Sequence, residues 1–366
     1  MRADYLMIGG FLGAGKTTAM LRLAHHLTSA GRRVGLIAND QSHGLVDTVM
    51  LAAEGFAVEE ITGGCFCCRF DSLTQAAGRL ARKVAPDIFL AEPVGSCTDL
   101  RATVQYPLRR LYGAEYRVGP LSVLVDPLRA ARVLGLEAGS PFSSKVLYVY
   151  RKQLEEADLI AINKCDLLPQ ERLQRLEDAM REHFPAAQVL RMSARTGAGL
   201  DGWFRALHAE PGLQQPPTVD YDEYAEGEAL LGWLNTTIRL HAGTLFDGNL
   251  LLRDLAGRIR GRLSADSIEI AHLKMTLTPA VDIGRLGTLN LVGTAREPEV
   301  AHLLEGGLAD GELILNLRAE GAPEVLRAAV ENSLAASAAS AGAQAETLHL
   351  EHFRPGRPQP THRDSS

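Results

Sequence analysis

Short unbroken apolar runs alternate with amphipathic stretches along roughly the first 207 residues. The apolar runs are Tyr5–Ile8, Arg33–Ala38, Ile88–Ala91, Leu121–Val125, Leu159–Ile162 and Val189–Met192. The amphipathic stretches between them include Ser72–Val84, Thr98–Leu111, Lys145–Glu156 and Gln170–His183. Unbroken apolar runs are typical of strands that are buried on both faces, so the alternation predicts an α/β fold with a mostly parallel sheet flanked by helices. Polar motifs directly after the runs therefore mark the expected ligand-binding edge of the sheet.

The first of these motifs is a phosphate-binding loop. It follows the run Tyr5–Ile8, precedes a helical pattern from Ala19 to Leu27, and reads Gly10-Phe11-Leu12-Gly13-Ala14-Gly15-Lys16-Thr17, then Thr18. We expect the backbone of this loop, from Gly10 through Gly13, Ala14 and Gly15 to Thr18, to cradle phosphates at the positive end of a helix dipole. Lys16 would contact the outer phosphates, and the Thr17 hydroxyl would bind Mg²⁺. The alternative is a glycine-rich turn that binds nothing.

The second motif is Asn163-Lys164-Cys165-Asp166, directly after the run Leu159–Ile162. A carboxylate at Asp166 would accept hydrogen bonds from guanine N1–H and the 2-amino group, and adenine offers neither donor. Lys164 would lie along the base, and Asn163 would brace the loop. The next apolar run is followed by Ser193-Ala194-Arg195, where a backbone N–H is expected to meet guanine O6. The order of these loops favours GTP over ATP, although an isolated tetrapeptide of this kind also occurs in surface turns.

Two further segments carry candidate Mg²⁺ ligands. Glu92 follows the run Ile88–Ala91, where its carboxylate would hold Mg²⁺ or orient the attacking water, and Gly95 would meet the γ-phosphate. A helix cap or an ordinary loop charge is the alternative for Glu92. The polar stretch from Asn39 to Asp47 occupies the position of a first switch, with Asp47 as the candidate Mg²⁺ ligand and with Asp40 and His43 as weaker candidate ligands.

The most distinctive segment is Gly63-Gly64-Cys65-Phe66-Cys67-Cys68-Arg69. Three thiols this close together, after two glycines that permit a tight bend, suit one soft cation such as Zn²⁺. A fourth position would stay open for water, Asp40 or His43. Two alternatives remain. Cys65 and Cys68 form a C-x-x-C pair that suits redox chemistry, or the thiols are buried cysteines with a purely structural role. Cys97 and Cys165 stand alone in the sequence and are predicted to be small core residues.

Composition excludes several classes of protein. A net charge of −6 argues against nucleic-acid binding. No apolar run approaches the ~18 residues of a membrane span, and Asp4 interrupts any signal peptide, so neither a membrane partner nor export is expected. Five cysteines, three of them clustered, suit metal chemistry in a reducing, cytoplasmic environment better than a disulfide framework.

The second half of the chain predicts a smaller α+β domain with an antiparallel sheet. Strands and helices are expected at Leu231–Leu240, Gly248–Leu263, Ile268–Leu277, Thr288–Gly293, Glu312–Leu317, Glu324–Ser337 and Thr347–His352. Residues 1–208 form the predicted nucleotide domain, 209–227 a proline-rich acidic linker, 228–353 the second domain, and 354–366 a tail that is expected to be disordered unless it docks back on the protein.

Taken together, the motifs G-x-x-x-x-G-K-T, G-G-C-x-C-C, E-x-x-G and N-K-x-D resemble the CobW-like family of P-loop GTPases over roughly the first 200 residues. The resemblance implies a metallochaperone or metal insertase, in which GTP binding and hydrolysis control the delivery of Zn²⁺ or Co²⁺ to a client metalloprotein. It implies metal binding for Cys65, Cys67 and Cys68. It also implies GTP binding for Lys16, Thr17, Asn163 and Asp166.

The chain departs from the family pattern in its first switch, which reads Asn39-Asp40-Gln41-Ser42 in place of N-E-F-G. Its histidines are scattered, which weakens any inference of a metal reservoir. Two rival hypotheses remain. One is a GTP-dependent regulatory scaffold for a metalloenzyme that transfers no metal, and the other is an ATP-using kinase, against which Asp166 argues.

Overall fold

The computed structural model describes residues 2–40, 46–139, 142–210, 212, 214–281 and 285–364. By their internal contacts these residues form two compact units. The first unit comprises the described residues of 1–43, 54–227 and 357–366, and the second those of 44–53 and 228–356. Within the described ranges, no helix is long and apolar enough to cross a membrane.

The first unit is built on a parallel sheet. Its strands are β1 (Ala3–Gly9), β2 (Val34–Asn39), β3 (Ala57–Ile61), β4 (Ile88–Glu92), β5 (Tyr116–Val118), β6 (Ser122–Val125), β7 (Leu159–Ile162) and β8 (Gln188–Arg191). They lie in the order β3-β2-β4-β1-β6-β7-β8, with β5 also beside β1, and every pairing among these described strands is parallel. The predicted parallel sheet is therefore confirmed.

The helices as far as residue 230 connect these strands or follow them. They are α1 (Lys16–Ser29), α2 (Val46–Ala53), α3 (Phe70–Val84), α4 (Tyr106–Tyr112), α5 (Pro127–Val133), α6 (Ser144–Glu155), α7 (Gln170–His183), α8 (Leu200–Leu207) and α9 (Tyr221–Leu230). Every strand from β1 to β4 and from β6 to β8 ends at the same edge of the sheet, because parallel strands share one direction. That edge carries the motifs predicted from the sequence.

The second unit is an antiparallel sheet with two long helices. Its elements are β9 (Leu231–Phe246), α10 (Gly248–Ala265), β10 (Ile270–Pro279), β11 (Gly287–Leu291), β12 (Glu299–His302), β13 (Leu308–Glu320), α11 (Pro323–Ser340) and β14 (Ala343–Phe353). The strand order is β12-β11-β10-β13-β9-β14, and each pairing of neighbouring strands in the described part of this sheet is antiparallel. This arrangement confirms the α+β prediction and adds β12, whose residues are mostly exposed and carry no strong strand pattern.

The two faces of that sheet have different coverings. Leu313 and Leu315 belong to the main core together with α10 and α11. Side chains alternate along a strand, so Ile314 points to the other face, where it packs with Val46 and Met50 of α2. Asn316 Oδ1 accepts a hydrogen bond of 3.0 Å from the Val46 N–H. The first-switch position in the sequence therefore leads into a helix of the second unit.

Two segments differ from their sequence expectations. The predicted linker 209–227 runs into helix α9, whose start is supported by hydrogen bonds from the backbone of Asp222 and Glu223 to the Asp220 side chain. The tail is described as far as Asp364, and from residue 357 onward it forms part of the first unit, where Gln359, Arg363 and Asp364 make hydrogen bonds. In both cases tertiary or capping contacts order a segment whose composition is typical of loops.

A buried carboxyl group on the first unit leads to a stability prediction. Glu156 is fully buried, and its two oxygens accept hydrogen bonds from the Arg101 N–H at 3.0 Å and the Thr98 hydroxyl at 3.2 Å. Burial is the main cause that raises the pKa of Glu156 to about 8. The pKa of Glu156 is higher in the folded protein than in the unfolded chain. Protonation of Glu156 therefore stabilises the folded protein fully at acid pH, and this contribution to the free energy of unfolding falls as the pH rises towards 8.

We therefore expect Glu156→Gln to stabilise the protein at pH 7.5 by about 1–3 kcal/mol, and by much less at pH 5. The glutamine oxygen keeps the bond from Arg101, and its amide can donate to the Thr98 hydroxyl. Thermal unfolding of both proteins across pH 5–8 checks this. A variant that is equally destabilised at every pH would show that Glu156 is ionised in the folded protein.

Candidate nucleotide site and thiol cluster

The phosphate-loop sequence forms the turn between β1 and α1. Gly15 stands just before α1 with φ +88°, a backbone conformation that side chains disfavour. A Cβ on Gly15 would also lie 2.5 Å from the Asn163 amide nitrogen. Glycine is therefore required here for its conformation and for the close approach of the predicted guanine loop. The first N–H groups of α1, at Lys16, Thr17 and Thr18, provide the anion-binding helix terminus that the motif predicts.

Glu92 ends β4 beside the start of α1. Its Oε1 accepts a hydrogen bond of 3.2 Å from the Thr17 hydroxyl and lies 3.8 Å from Lys16 Nζ. All three side chains are buried. A hydroxyl and a carboxylate are the hard oxygen donors that Mg²⁺ prefers, so this pair of residues suits the ion. The structure thus brings together three of the residues predicted to handle the terminal phosphates.

Gly95 lies on the loop that follows β4. A Cβ at this position would lie 3.0 Å from the Leu12 backbone nitrogen and 2.8 Å from a Leu12 side-chain carbon. Only glycine allows the loop to pack this closely against the phosphate loop. The predicted γ-phosphate role of Gly95 stays a prediction, and its position beside the phosphate loop is compatible with that role.

The Asn163-Lys164 pair connects the loop after β7 to the phosphate loop. Asn163 Nδ2 donates to the Ala14 carbonyl at 2.8 Å, and Lys164 Nζ donates to the Gly13 carbonyl at 2.7 Å. The Asn163 oxygen accepts hydrogen bonds from the N–H groups of Lys164 at 2.8 Å and Ala194 at 3.0 Å. Asn163 therefore holds three loops in register, which is the bracing role predicted for it.

Asp166 begins the next turn and forms an ion pair with Arg195. Partial burial acts to raise the pKa of Asp166, but hydrogen bonds from Ser193 and Arg195 outweigh it and hold the pKa below its usual value. The ionised carboxylate is a pure acceptor, as guanine recognition requires. Ser193 is fully buried and Ala194 nearly so. The Ala194 N–H binds Asn163 Oδ1, and the contact of a backbone N–H of this loop with guanine O6 stays a prediction.

Two supporting residues escaped sequence reasoning. Asp126 follows β6, caps α5 through the N–H groups of Leu128 and Arg129, and lies 3.0 Å from Lys164 Nζ. The Arg129 guanidinium donates to the Leu12 carbonyl and lies over the Phe11 ring. Asp126-Pro127 directly after an apolar run was the available signal, since aspartate is a preferred cap and proline suits the first helical turn.

The three clustered cysteines lie between β3 and α3. The Sγ atoms are separated by 2.7 Å for Cys65 and Cys67, 3.2 Å for Cys65 and Cys68, and 3.7 Å for Cys67 and Cys68. Among the described residues, this is the group of three whose ligand atoms converge as a metal site requires. Cys65 and Cys67 are buried, whereas Cys68 is partly exposed. The predicted convergence of three thiols is present.

The cluster favours one thiolate held by neighbouring thiols. Hydrogen bonds from Cys67, then Cys68 and Cys97, hold the pKa of Cys65 well below its usual range. Hydrogen bonding with Cys65 is the main cause that raises the pKa of Cys67, and it also raises that of Cys68 to about 11. Cys97 is buried, at 1% exposure, and contributes to the pKa shifts of both Cys65 and Cys67. The expectation that Cys97 is an isolated core residue misses this contact.

Cys97 connects the thiols to the nucleotide loops through the chain. It stands on the loop after β4, five positions beyond Glu92 and two beyond Gly95. Gln153 donates to the carbonyls of Gly95 at 2.9 Å and Cys97 at 2.8 Å, so this loop is held firmly. On the other side, Asn39 at the end of β2 donates to the Gly64 carbonyl at 2.8 Å.

The remaining candidates from the first switch make other contacts or lie outside the described residues. Asp47 belongs to the second unit, where its carboxylate pairs with Lys274 of β10. His43 lies outside the described residues. The Asp40 N–H binds the Ile61 carbonyl at 3.1 Å, which fixes the backbone just before the undescribed stretch. A Mg²⁺ role for Asp47 stays a prediction.

Comparison with known proteins agrees with this geometry. The family model "CobW/HypB/UreG, nucleotide-binding domain" matches residues 4–191. The zinc chaperone YeiR of Escherichia coli is 31% identical over 173 residues, covering 47% of this chain and 49% of its own. A zinc chaperone CobW from a Sinorhizobium species is 30% identical over 195 residues, covering 47% of this chain and 53% of its own.

A more distant relative is the zinc-regulated GTPase metalloprotein activator 1 of Dictyostelium discoideum. It is 23% identical over 260 residues, covering 59% of this chain and 54% of its own. The chain thus spans about half the length of the curated relatives it matches.

Proposed function

The chain belongs to the CobW/HypB/UreG family of nucleotide-binding domains, and from that premise we propose that it is a Mg²⁺-dependent GTPase that carries zinc or cobalt to a client metalloprotein. One observation carries the proposal. A phosphate loop and a cluster of three thiols lie in the same compact unit, and the loop that begins at Glu92 reaches both through Gly95 and Cys97.

GTP is the nucleotide that these residues suit. The α1 terminus and Lys16 would take the phosphates, while Asp166 would accept two hydrogen bonds from guanine. The base would replace Arg195 as the partner of Asp166. Arg195 is 57% exposed, so this exchange costs little, because exposed ion pairs contribute only about 0–1 kcal/mol.

Hydrolysis depends on charge stabilisation around the terminal phosphate. Mg²⁺, held by Thr17 and Glu92, neutralises phosphate charge when bound. Lys16 stabilises the negative charge of the leaving group and of the transferred phosphoryl group. The Gly95 N–H belongs to the loop that would meet the γ-phosphate. Because Gly95 has no Cβ, this loop can pack closely against Leu12.

The metal is the cargo, bound by Cys65, Cys67 and Cys68. Zinc prefers four ligands in a tetrahedral arrangement, with sulfur at about 2.3 Å. We infer that Cys97 supplies the fourth sulfur after a movement of its loop, because it is buried and shifts the pKa of both Cys65 and Cys67, although its Sγ is not among the three that converge. The names of the relatives, two of them zinc chaperones, support zinc over cobalt for this chain.

The same loop provides a route for nucleotide control of the metal. Loss of the γ-phosphate would remove a contact at Gly95, and Cys97 lies two residues further on. A shift of this loop would move one sulfur relative to the other three. A four-ligand site that loses one ligand holds its metal less tightly, which couples hydrolysis to release.

Phosphate release from GTP tests the enzymatic part of the proposal. We expect Mg²⁺-dependent hydrolysis of GTP in preference to ATP. Lys16→Ala should lower the rate by about 10²-fold or more, as removal of a key electrostatic group does elsewhere. Lys145→Ala, which removes an exposed lysine paired with Glu226, is the matched control and should hydrolyse GTP normally. Equal rates for Lys16→Ala and Lys145→Ala would contradict the assignment.

A further inference from the structure

The C-terminal segment 357–364 lies against the thiol cluster. The Gln359 N–H donates a hydrogen bond of 3.1 Å to Cys68 Sγ. The Thr361 N–H donates to the Cys67 carbonyl at 2.9 Å, and its hydroxyl donates to the Cys68 carbonyl at 3.4 Å. The segment therefore contacts both the sulfur and the backbone of the proposed cargo site.

The end of the segment is held by contacts with residues that follow Cys97 along the chain. Arg363 Nε lies 2.8 Å from the fully buried Asp99 carboxylate, two residues beyond Cys97. Asp364 accepts hydrogen bonds from Arg110 at 2.8 and 3.2 Å, and its own N–H donates to the Ala102 carbonyl at 2.8 Å. The His362 ring meets the Phe70 ring edge-on at 4.9 Å. The segment thus spans from the cysteine loop to the segment that follows Cys97.

The sequence of the segment suits this role. Proline has no backbone N–H, so in Pro358-Gln359-Pro360 the Gln359 N–H is the sole backbone donor. The flanking prolines also favour an extended conformation, which lowers the entropy cost of docking. The donor is thus presented to Cys68 by a stiff piece of chain.

We propose that segment 357–364 is part of the cargo site, where the Gln359 N–H orients the Cys68 sulfur and the segment slows loss of the bound metal. This inference rests on the proposed metal-carrying function. A hydrogen bond to a metal-bound sulfur fixes its orientation and offsets its negative charge, and removal of such outer contacts typically costs 10–100-fold in metal affinity. Cys68 is the most exposed of the three thiols, so this is the side from which metal would leave.

The test uses the full chain and Zn²⁺ alone. Gln359→Pro deletes the N–H donor within a segment that is already proline-rich, whereas Gln359→Ala keeps the donor and removes only the side chain. After zinc loading, an excess of chelator reports the release rate. We expect Gln359→Pro to release zinc about tenfold faster than wild type, and Gln359→Ala to match wild type.

A third protein that ends at Gly356 should release zinc at least as fast as Gln359→Pro. Equal release by the wild type and all three variants would overturn the role of the segment while leaving the metal-carrying function intact. A wild-type chain that binds no Zn²⁺ would instead contradict the proposed function, and this proposal with it.

The rate of Cys68 alkylation without metal gives a second measure of docking. An equal rate in wild type and the truncated protein would show that the segment does not cover the thiol.

Discussion

Replacing Cys65, Cys67 and Cys68 together with serine is expected to weaken Zn²⁺ binding by about a thousandfold or more, while GTP affinity stays within about twofold. A serine hydroxyl stays protonated at neutral pH and is a poor ligand for zinc, so the three changes remove most of the metal–ligand bonds. Lys16 and Asp166, the residues proposed to contact the nucleotide, lie outside the cysteine loop. Chelator competition measures the metal affinity, and displacement of a fluorescent GTP analogue measures the nucleotide affinity.

Cys165→Ser is the matched control for this variant. Cys165 is a partly exposed thiol in the guanine loop, outside the three-sulfur group, and its loss should leave zinc affinity unchanged. Zinc binding that survives the triple substitution would refute the cargo site. The single change Cys97→Ser tests the fourth sulfur, because the sulfur-to-metal charge-transfer absorption of the Co²⁺-loaded protein should fall by roughly a quarter. A spectrum identical to that of the wild type would exclude Cys97 as a ligand.

Asp166→Ala is expected to abolish the preference for guanine, with GTP affinity falling by about 30–100-fold and ATP affinity nearly unchanged. The physical reason is the loss of two hydrogen bonds from guanine to an ionised acceptor, about 2–3 kcal/mol in total. Competition of GTP and ATP against a fluorescent nucleotide measures both affinities.

Arg195→Ala is the control for this second prediction. It removes the ion partner of Asp166 while keeping the carboxylate that would face the base. This variant should keep its preference for GTP. If Asp166→Ala and Arg195→Ala lowered GTP affinity equally, the loop would contribute charge balance and not base recognition.

Much of the first unit was predictable because its strands are buried on both faces. The runs Ile88–Ala91 and Leu159–Ile162 mark β4 and β7 almost to the residue, and the motifs after them lie at one edge of the sheet. Strand β3 escaped because Ala57–Ile61 is only half-buried and contains Glu59 and Glu60, so its pattern does not separate it from a loop.

The contacts between distant loops were less predictable. The convergence of Cys65, Cys67 and Cys68 follows from their spacing, but the contact with Cys97 joins positions about thirty residues apart, on either side of the crossover from β3 through α3 to β4. Arg129 and Asp126 support the phosphate loop from a third loop in the same way. The periodicity of apolar residues predicts helices and strands. Which of the loops between them contact one another is seen only once the strands are packed into a sheet.

The C-terminal segment illustrates the limit of composition as a guide. Its prolines and polar residues are typical of a disordered tail, and nothing local in them predicts order. The order comes from partners elsewhere in the chain, chiefly Asp99, Arg110 and the cysteine loop. The segment predicted as a linker contains the start of helix α9 for a related reason. Tyr224 of this helix is fully buried against Val149.

The most direct test of the account is the dissociation constant of Zn²⁺ and Co²⁺ without nucleotide, with Mg·GTP and with Mg·GDP, measured with competing chelators. The account predicts that the GTP-bound protein holds metal at least about tenfold more tightly than the GDP-bound protein, a coupling free energy in the usual range for linked sites. Equal dissociation constants in the GTP and GDP forms would mean that the bound nucleotide does not change the affinity for the metal. That result would contradict the metal-carrying mechanism and favour a GTP-dependent scaffold.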